Sequence, residues 1–401
     1  MARADRPGRP GLRFEPARAY HPYYSSVALL ERLLSGSTID GSAYTVDPAG
    51  NRTAKTDQHA GVTSNYTYDP LYELTQVTQA ANTTESYTYD PVGNRLSSLN
   101  LSPYVNNTSN ELTSTPSASY AYDYNGNTTS KTVSAGTTNY TWDYENRLAS
   151  VTLPGTGGSI TFKYDPLGRR IQKVFTQNST TTTTNYLYDG SNAIADIDQN
   201  GNVLARYAET QNIDEPLAQL RSGTTSYYEA DGLGSVTSLS GSSGSLANTY
   251  TYDSFGNLTA STGSVTNRFQ YTAREFDSES GLYYYRARYY DPNAGRFLSE
   301  DPLRYWADVN FYPYTYSNPT NLQDPSGKIV WVPVIVGLAG AGVGGFIEGR
   351  KAYECGAHGF ELAEAIGRGA AAGAVGAIAG LLGGELNPWF GGAAASGAYD
   401  A

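Results

Sequence analysis

The chain has 401 residues, a formal net charge of −11 and only 16% charged residues. That acidic balance argues against nucleic acid as a principal partner. A single cysteine, Cys355, rules out an intrachain disulfide and a cysteine zinc cluster. The three histidines, His21, His59 and His358, lie far apart and outside any metal-spacing motif, so neither a His-ligated metal nor a Ser-His-Asp triad is expected. No Walker loop or strand-following G-x-G-x-x-G occurs, and no cofactor is predicted.

Residues 1–39 differ from the rest of the chain. Residues 1–20 carry five Arg and two acids among several Pro and Gly, and the apolar run VALLERLL is interrupted by Glu31 and Arg32. That is not a secretory apolar core. The segment reads as a poorly ordered leader, or a start within a longer gene, with a basic targeting arm as the alternative.

From about residue 40 to 265 a short pattern recurs: YTVDPAGN at Tyr44, YTYDPLYE at Tyr66, YTYDPVGN at Tyr87, YAYDYNGN at Tyr120, YTWDYENR at Tyr140, KYDPLGRR at Lys163, YLYDGSNA at Tyr186, YYEADGLG at Tyr227 and YTYDSFGN at Tyr250. Most gaps between the aspartates are 20 to 24 residues, and the gap of 42 from Asp189 to Asp231 predicts a degenerate copy near Tyr207. A fixed period of this size marks a repeat architecture. Y-x-Y-D alternates with period 2, so both tyrosines share one face of a strand. The following P-x-G-N is turn chemistry. Each repeat therefore supplies two strands and two turns, cannot bury its face alone, and must stack on its neighbours. The chain holds 35 Tyr against 11 Phe, which suits a wall wet on at least one side.

Residues 266–327 form a denser region, culminating in GLYYYRARYYDPNAGRFLSEDPLRYWADVNFYPYTYSNPTNLQDPSG from Gly281. Between Arg268 and Arg304 lie six Arg and six acids, which suggests a mutually neutralised network inside a wall. After Gly327 the composition changes abruptly. Ile329–Ile347 is nineteen residues without a charge, a polar centre comes next, and Gly369–Gly384 is again charge-free and rich in Ala and Gly. Residues 328–401 therefore read as a variable tail with two apolar helices. The first run approaches the length of a membrane span, and Gly340/Gly344, Gly369/Gly373 and Gly376/Gly380 would permit close helix contact. A buried helical pair without membrane contact is the alternative.

The ordered run from GLYYYRARYYDP through GRFLSEDP to SNPTNLQDPSG resembles the core of RHS-repeat (YD-repeat, teneurin-like shell) proteins, and the Y-x-Y-D repeats resemble their wall. The resemblance covers residues 40–327 and implies the C-terminal portion of such a protein. The expected fold is mainly β, an antiparallel YD-repeat sheet curling into a partial shell, followed by a small α-helical Gly/Ala-rich hairpin. The implied function is part of a bacterial polymorphic toxin or secreted effector whose shell encapsulates or presents its own C-terminal segment. Secretion-machine components and an immunity protein would be its partners. The alternative is a cell-surface adhesion or carbohydrate-binding repeat protein without enzymatic activity, facing glycans or, through residues 329–384, a membrane. Either reading places the protein outside the cell or at its surface.

The resemblance also implies an aspartyl-type autoprotease that releases the tail just after a D-P-x-G-Leu motif. The matching positions are Asp301 in SEDP and Asp308 in WADVNFY. Arg296 in GRF is the arginine that would hold a carboxylate or polarise the scissile carbonyl. The cleavage motif is Asp324-Pro325-Ser326-Gly327, followed by Lys328 where the self-cleaving pattern has Leu. A purely structural reading of the same residues stands beside it: both Asp-Pro pairs initiate turns, and Arg296 pairs a neighbouring acid.

Overall fold

The computed structural model describes residues 11–13, 26–34, 37–306, 308–328 and 330, with side chains from residue 40. The expected helical hairpin at 329–384 lies outside the described residues. Among the described residues no helix is long and apolar enough to cross a membrane.

The wall is an antiparallel meander. An eight-stranded sheet takes in the strands from Gly11–Arg13 to Arg95–Ser98. A 16-stranded sheet runs from Val105–Asn106 to Leu258–Thr262, and every strand in both pairs with its sequence neighbour. The leader contributes to it: VALLERLL falls in strand Ser26–Leu34, which pairs with Ser37–Val46.

The local rules are those the repeat predicts. Asp90 Oδ1 accepts the backbone N–H groups of Val92 (3.0 Å) and Asn94 (2.9 Å), and its Oδ2 accepts Asn94 Nδ2 at 2.9 Å. The short acceptor side chain thus replaces backbone partners in the turn, and Gly93 supplies the positive φ of 78° that the turn requires. Asp47, Asp69, Asp123, Asp143, Asp165, Asp231 and Asp253 repeat the arrangement.

Two further copies fill the wide gaps, the first visible only in three dimensions and the second where the gap predicts it. Asn107 takes the aspartate's place in the wide gap before Asp123, accepting the N–H groups of Ser109 and Glu111. The degenerate copy near Tyr207 is strand Val203–Glu209, whose turn starts at Thr210.

The two tyrosines of Y-x-Y-D have different tasks. The first is buried, as at Tyr44, Tyr87, Tyr140, Tyr186 and Tyr250, while the residue between them faces out. The second reaches back to the preceding repeat and donates to the carbonyl that opens its strand. Tyr68 donates to Arg52 O, Tyr89 to Leu74 O, Tyr122 to Leu112 O, Tyr164 to Leu148 O, Tyr188 to Arg170 O and Tyr252 to Val236 O; Trp142 Nε1 does the same to Thr128 O. A phenylalanine would keep the packing and leave that carbonyl without the donor, which accounts for the excess of tyrosine.

The wall curls until its late repeats meet its early ones. Asp40 accepts Thr237 Oγ1 (2.7 Å) and Ser238 Oγ (2.6 Å), Lys55 pairs with Asp231 at 2.5 Å, and Glu85 accepts the N–H of Ser254. Phe255, at the tip of a late turn, packs edge-on against Tyr87 and is 1% exposed, whereas the equivalent Leu71 and Leu167 are 68% and 78% exposed. The return is made by side chains; no strand ladder joins early and late strands among the described residues.

Inside the curl lies a four-stranded sheet: Glu275–Asp277, Leu282–Tyr285, Arg288–Asp291 and Arg296–Phe297. Its two central strands are buried on both faces. Alternation sends Leu282, Tyr284 and Tyr289 into the core formed with wall residues Tyr140, Val151 and Ile160. It sends Tyr283, Tyr285 and Tyr290 into a second core with Tyr271, Phe297 and Tyr314. Residues 268–324 touch the wall around its circuit. Arg52 reaches Thr320 O, Asn94 meets Asn310, Thr128 bonds Leu298 O, and Lys131 pairs with Asp291. Arg170 pairs with Glu275 and Asp277, Asp196 with Arg268, and Tyr290 bonds Phe255 O. A segment that meets wall positions from 52 to 255 is a plug on the axis of the curl.

Candidate functional site

Strands Leu282–Tyr285 and Arg288–Asp291 are joined at their tip by Arg286 and Ala287, with Arg286 in the left-handed region at φ 57°. Three consecutive residues of this tip hold three consecutive carbonyls of the D-P-S-G segment. Arg286 Nη1 donates to Pro325 O, Ala287 N donates to Ser326 O at 3.2 Å, and Arg288 Nε donates to Gly327 O at 2.6 Å. The fit leaves no room for a side chain at Gly327. Its φ is 68°, and an added Cβ would lie 2.2 Å from Tyr285 O.

Arg288 also gathers the carboxylates. Its Nη2 lies 2.7 Å from Asp301 Oδ2 and 3.3 Å from Asp324 Oδ2, and its Nη1 donates to Phe311 O at 2.9 Å. All three charged side chains are buried. Asp301 is held by its own turn, accepting the N–H of Leu303 at 2.8 Å. Asp324 Oδ1 accepts the N–H of Lys328 at 3.0 Å. The peptide bond between Gly327 and Lys328 therefore has its carbonyl on a guanidinium and its N–H on a carboxylate.

Burial pushes the Asp301 carboxyl up to about 6; the attraction of Arg288 offsets only part of that cost, and repulsion from Asp324 adds to it. Burial likewise lowers Arg288 despite its two acidic partners, and since a guanidinium keeps its proton in proteins, Asp301 is the member of the pair that titrates in the working range. Elsewhere in the plug the balance reverses. Burial alone would raise Glu275, but Arg268, Arg170 and Arg274 outweigh it and hold it at about 2.

Of the residues singled out in the sequence, Asp301, Asp324, Gly327 and Lys328 come together. Asp308 caps the N–H of Val309 at 2.6 Å, and Arg296 lies elsewhere: it donates to Asn106 Oδ1 (3.0 Å) and Asn110 O (2.5 Å) and stacks over Tyr312. The arginine on the carboxylates and on the Gly327 carbonyl is Arg288. The signal for it was the R-A-R tip within YYYRARYYD, two arginines spaced to lie on one side of a tight hairpin.

Comparison with known proteins places these features in a family. A 37% identical match over 188 residues is found in the tRNA3(Ser)-specific nuclease WapA of Bacillus spizizenii, covering 45% of this chain and 8% of that protein. The toxin protein Tse5 of Pseudomonas aeruginosa is 29% identical over 216 residues, covering 46% of this chain and 16% of that one. The chain thus spans less than a tenth of the length of the first of these relatives and about a sixth of the second. Among solved structures, a Photorhabdus luminescens Tc holotoxin pore is similar at 18% identity and a TM-score of 0.45, over 76% of this chain and 19% of that one. The family model described as the teneurin YD-shell matches residues 51–323, the repeats after the first together with nearly all of the plug, and the chain belongs to that family.

Proposed function

We propose that this chain is the C-terminal part of an RHS/YD-repeat shell of a secreted bacterial toxin or effector, and that its plug presents the segment after Gly327 for release. The likeness to the toxin protein Tse5 and to the nuclease WapA supports the first half of this reading. The observation that carries the second is the R-A-R tip holding the carbonyls of residues 325–327 beside two buried carboxylates.

The chemistry is hydrolysis of the bond between Gly327 and Lys328. Asp301 and Asp324, brought to one guanidinium nitrogen, share a proton because both cannot ionise cheaply at close range. The ionised member takes a proton from water, whose oxygen bonds to the Gly327 carbonyl carbon. Arg288 Nε, already on that carbonyl, stabilises the negative charge that develops on its oxygen. The shared proton passes to the Lys328 nitrogen, the C–N bond breaks, and a Gly327 carboxylate and a Lys328 amine result.

Intact mass of the purified full chain tests the reading. The wild type should split into residues 1–327 and 328–401. Asp301→Asn and Asp324→Asn should stay whole. Asp308→Asn and the wall variant Asp253→Asn should split like the wild type. A wild type that remains intact would make the plug a purely structural anchor for the tail.

A further inference from the structure

One turn on the plug side of the wall breaks the repeat rule, and it breaks it next to the cradle. The regular turns close with a bond from the aspartate N–H to the carbonyl four residues on, as from Asp165 to Arg169. After strand Val203–Glu209 the closing bond instead runs from Thr210 N to Glu215 O at 3.1 Å, one residue further. Thr210 takes the aspartate's role, accepting Asn212 N at 3.0 Å and donating to Glu215 Oε2 at 2.7 Å. The extra residue carries Asp214 into the left-handed region at φ 61° and turns its carboxylate toward the plug, with the side chain 7% exposed.

Two arginines meet it there. Arg286 grips Asp214 with both terminal nitrogens, Nη1 to Oδ2 at 3.0 Å and Nη2 to Oδ1 at 2.7 Å. Arg274 Nη1 donates to the same Oδ1, while its Nη2 and Nε hold Tyr284 O at 2.7 and 3.2 Å. Arg286 in turn donates to Pro325 O. A bidentate contact fixes the plane of the guanidinium as well as its position, so a chain of contacts runs from Asp214 in the wall, through Arg286, to the segment that precedes the Gly327 carbonyl.

We infer that Asp214 is a positioning residue for the cradle: the wall's irregular repeat exists to brace Arg286 and so to register residues 325–327 over the carboxylate pair. This rests on the proposed self-cleavage for its catalytic consequence, but the brace itself can be read without it. Asparagine tolerates the left-handed region, so Asp214→Asn keeps the turn and removes the charge.

In the cleaving protein, Asp214→Asn should slow the split at least tenfold without moving the pH midpoint, because Asp301 and its partners are untouched. In an Asp301→Asn background, where no self-cleavage occurs, adding Asp214→Asn should raise the rate of trypsin cutting after Lys328 at least tenfold. Cutting at a wall site such as Arg147 should stay constant, and the control Glu279→Gln, which loosens a different contact between plug and wall, should change neither rate. Equal trypsin rates after Lys328 with and without Asp214→Asn would overturn the inference, as would a rise matched at Arg147. If the wild type does not cleave but the trypsin rates differ as expected, the brace stands and only the cleavage reading falls.

Discussion

The wall and the plug are built from the same tyrosines by opposite strategies. In the wall a repeat largely satisfies itself and its immediate neighbour: an aspartate closes the turn, a tyrosine hydroxyl caps one carbonyl of the preceding repeat, and pairs such as Arg147 with Asp143 form within one turn and stay partly exposed. In the plug almost nothing is local. Arg170 from the wall is completely buried between Glu275 and Asp277 and lies 4.5 Å from the centre of the Tyr284 ring, partners more than a hundred residues away. The difference teaches where each region can fail. A wall position repeats many times over and degrades gradually, whereas a plug position has no substitute.

The largest contrast should come from the wall arginine that reaches into the plug, set against one that does not. Arg170→Met removes the guanidinium that bonds both Glu275 and Asp277, leaving Asp277 with Lys173 alone as its ion-pair partner among the described residues, which costs about 3–5 kcal/mol. Arg147→Ala, at the partly exposed wall pair, should cost less than about 1 kcal/mol. Urea unfolding of both variants measures the two values, and equal losses would mean that the plug is no more specialised than the wall.

Next in size is the cradle. Gly327→Ala sets a methyl group against Tyr285 O and forces an unfavourable φ, so it should abolish release near Gly327. Gly168→Ala, at a wall turn with open space around the added carbon, should cost about 1 kcal/mol of stability and leave release intact.

The pH dependence sharpens the comparison further. Burial raises Glu73 to about 8, helped by its hydrogen bond to Asp69, and raises Glu85 to about 7 and Glu209 to about 8, helped by Asp253 and Asp214 respectively; Asp301 stands at about 6. A carboxyl raised on folding binds its proton more tightly in the folded state. Its stabilising contribution is therefore full below about pH 4 and is lost as pH climbs through the folded value. Glu275, held at about 2, has the opposite sign, but its contribution is lost only on descent through that value. The melting temperature should therefore fall from pH 5 to pH 8, and Glu85→Gln, at the seam between early and late repeats, should flatten part of that slope. A melting temperature that rises across the interval would contradict these shifts.

The smallest effect belongs to the tyrosine hydroxyls. Tyr164→Phe removes the donor to Leu148 O and should cost about 1 kcal/mol, while Phe175→Leu, which removes no such donor, reports packing alone.

The wall was legible in the sequence because its rules are local: period 2 within a strand, turn residues at fixed offsets, and a period of about twenty. It became illegible where chemistry was kept but identity changed, as at Asn107 for aspartate and at Thr210 in the irregular turn. The curl of the wall was expected from the family resemblance alone; the local rules do not give it, because contacts such as Asp40 with Ser238 depend on the sum of many small strand rotations. In the plug, Asp301 and the D-P-S-G segment could be identified by motif. Arg296 stood nearer in sequence to Asp301 than Arg288 did, and only the hairpin tip decides which one reaches Gly327 O.

The plug brings the bond after Gly327 to two buried carboxylates on one guanidinium, of which Asp301 is raised to about 6. The most direct test is the intact mass of the full-length wild type followed over time from pH 5 to pH 8. The chain should split between Gly327 and Lys328, fastest in the acidic range and more slowly as pH rises through about 6, where Asp301 loses its proton. A chain that stays whole at every pH, or that splits elsewhere, would contradict the proposed cleavage.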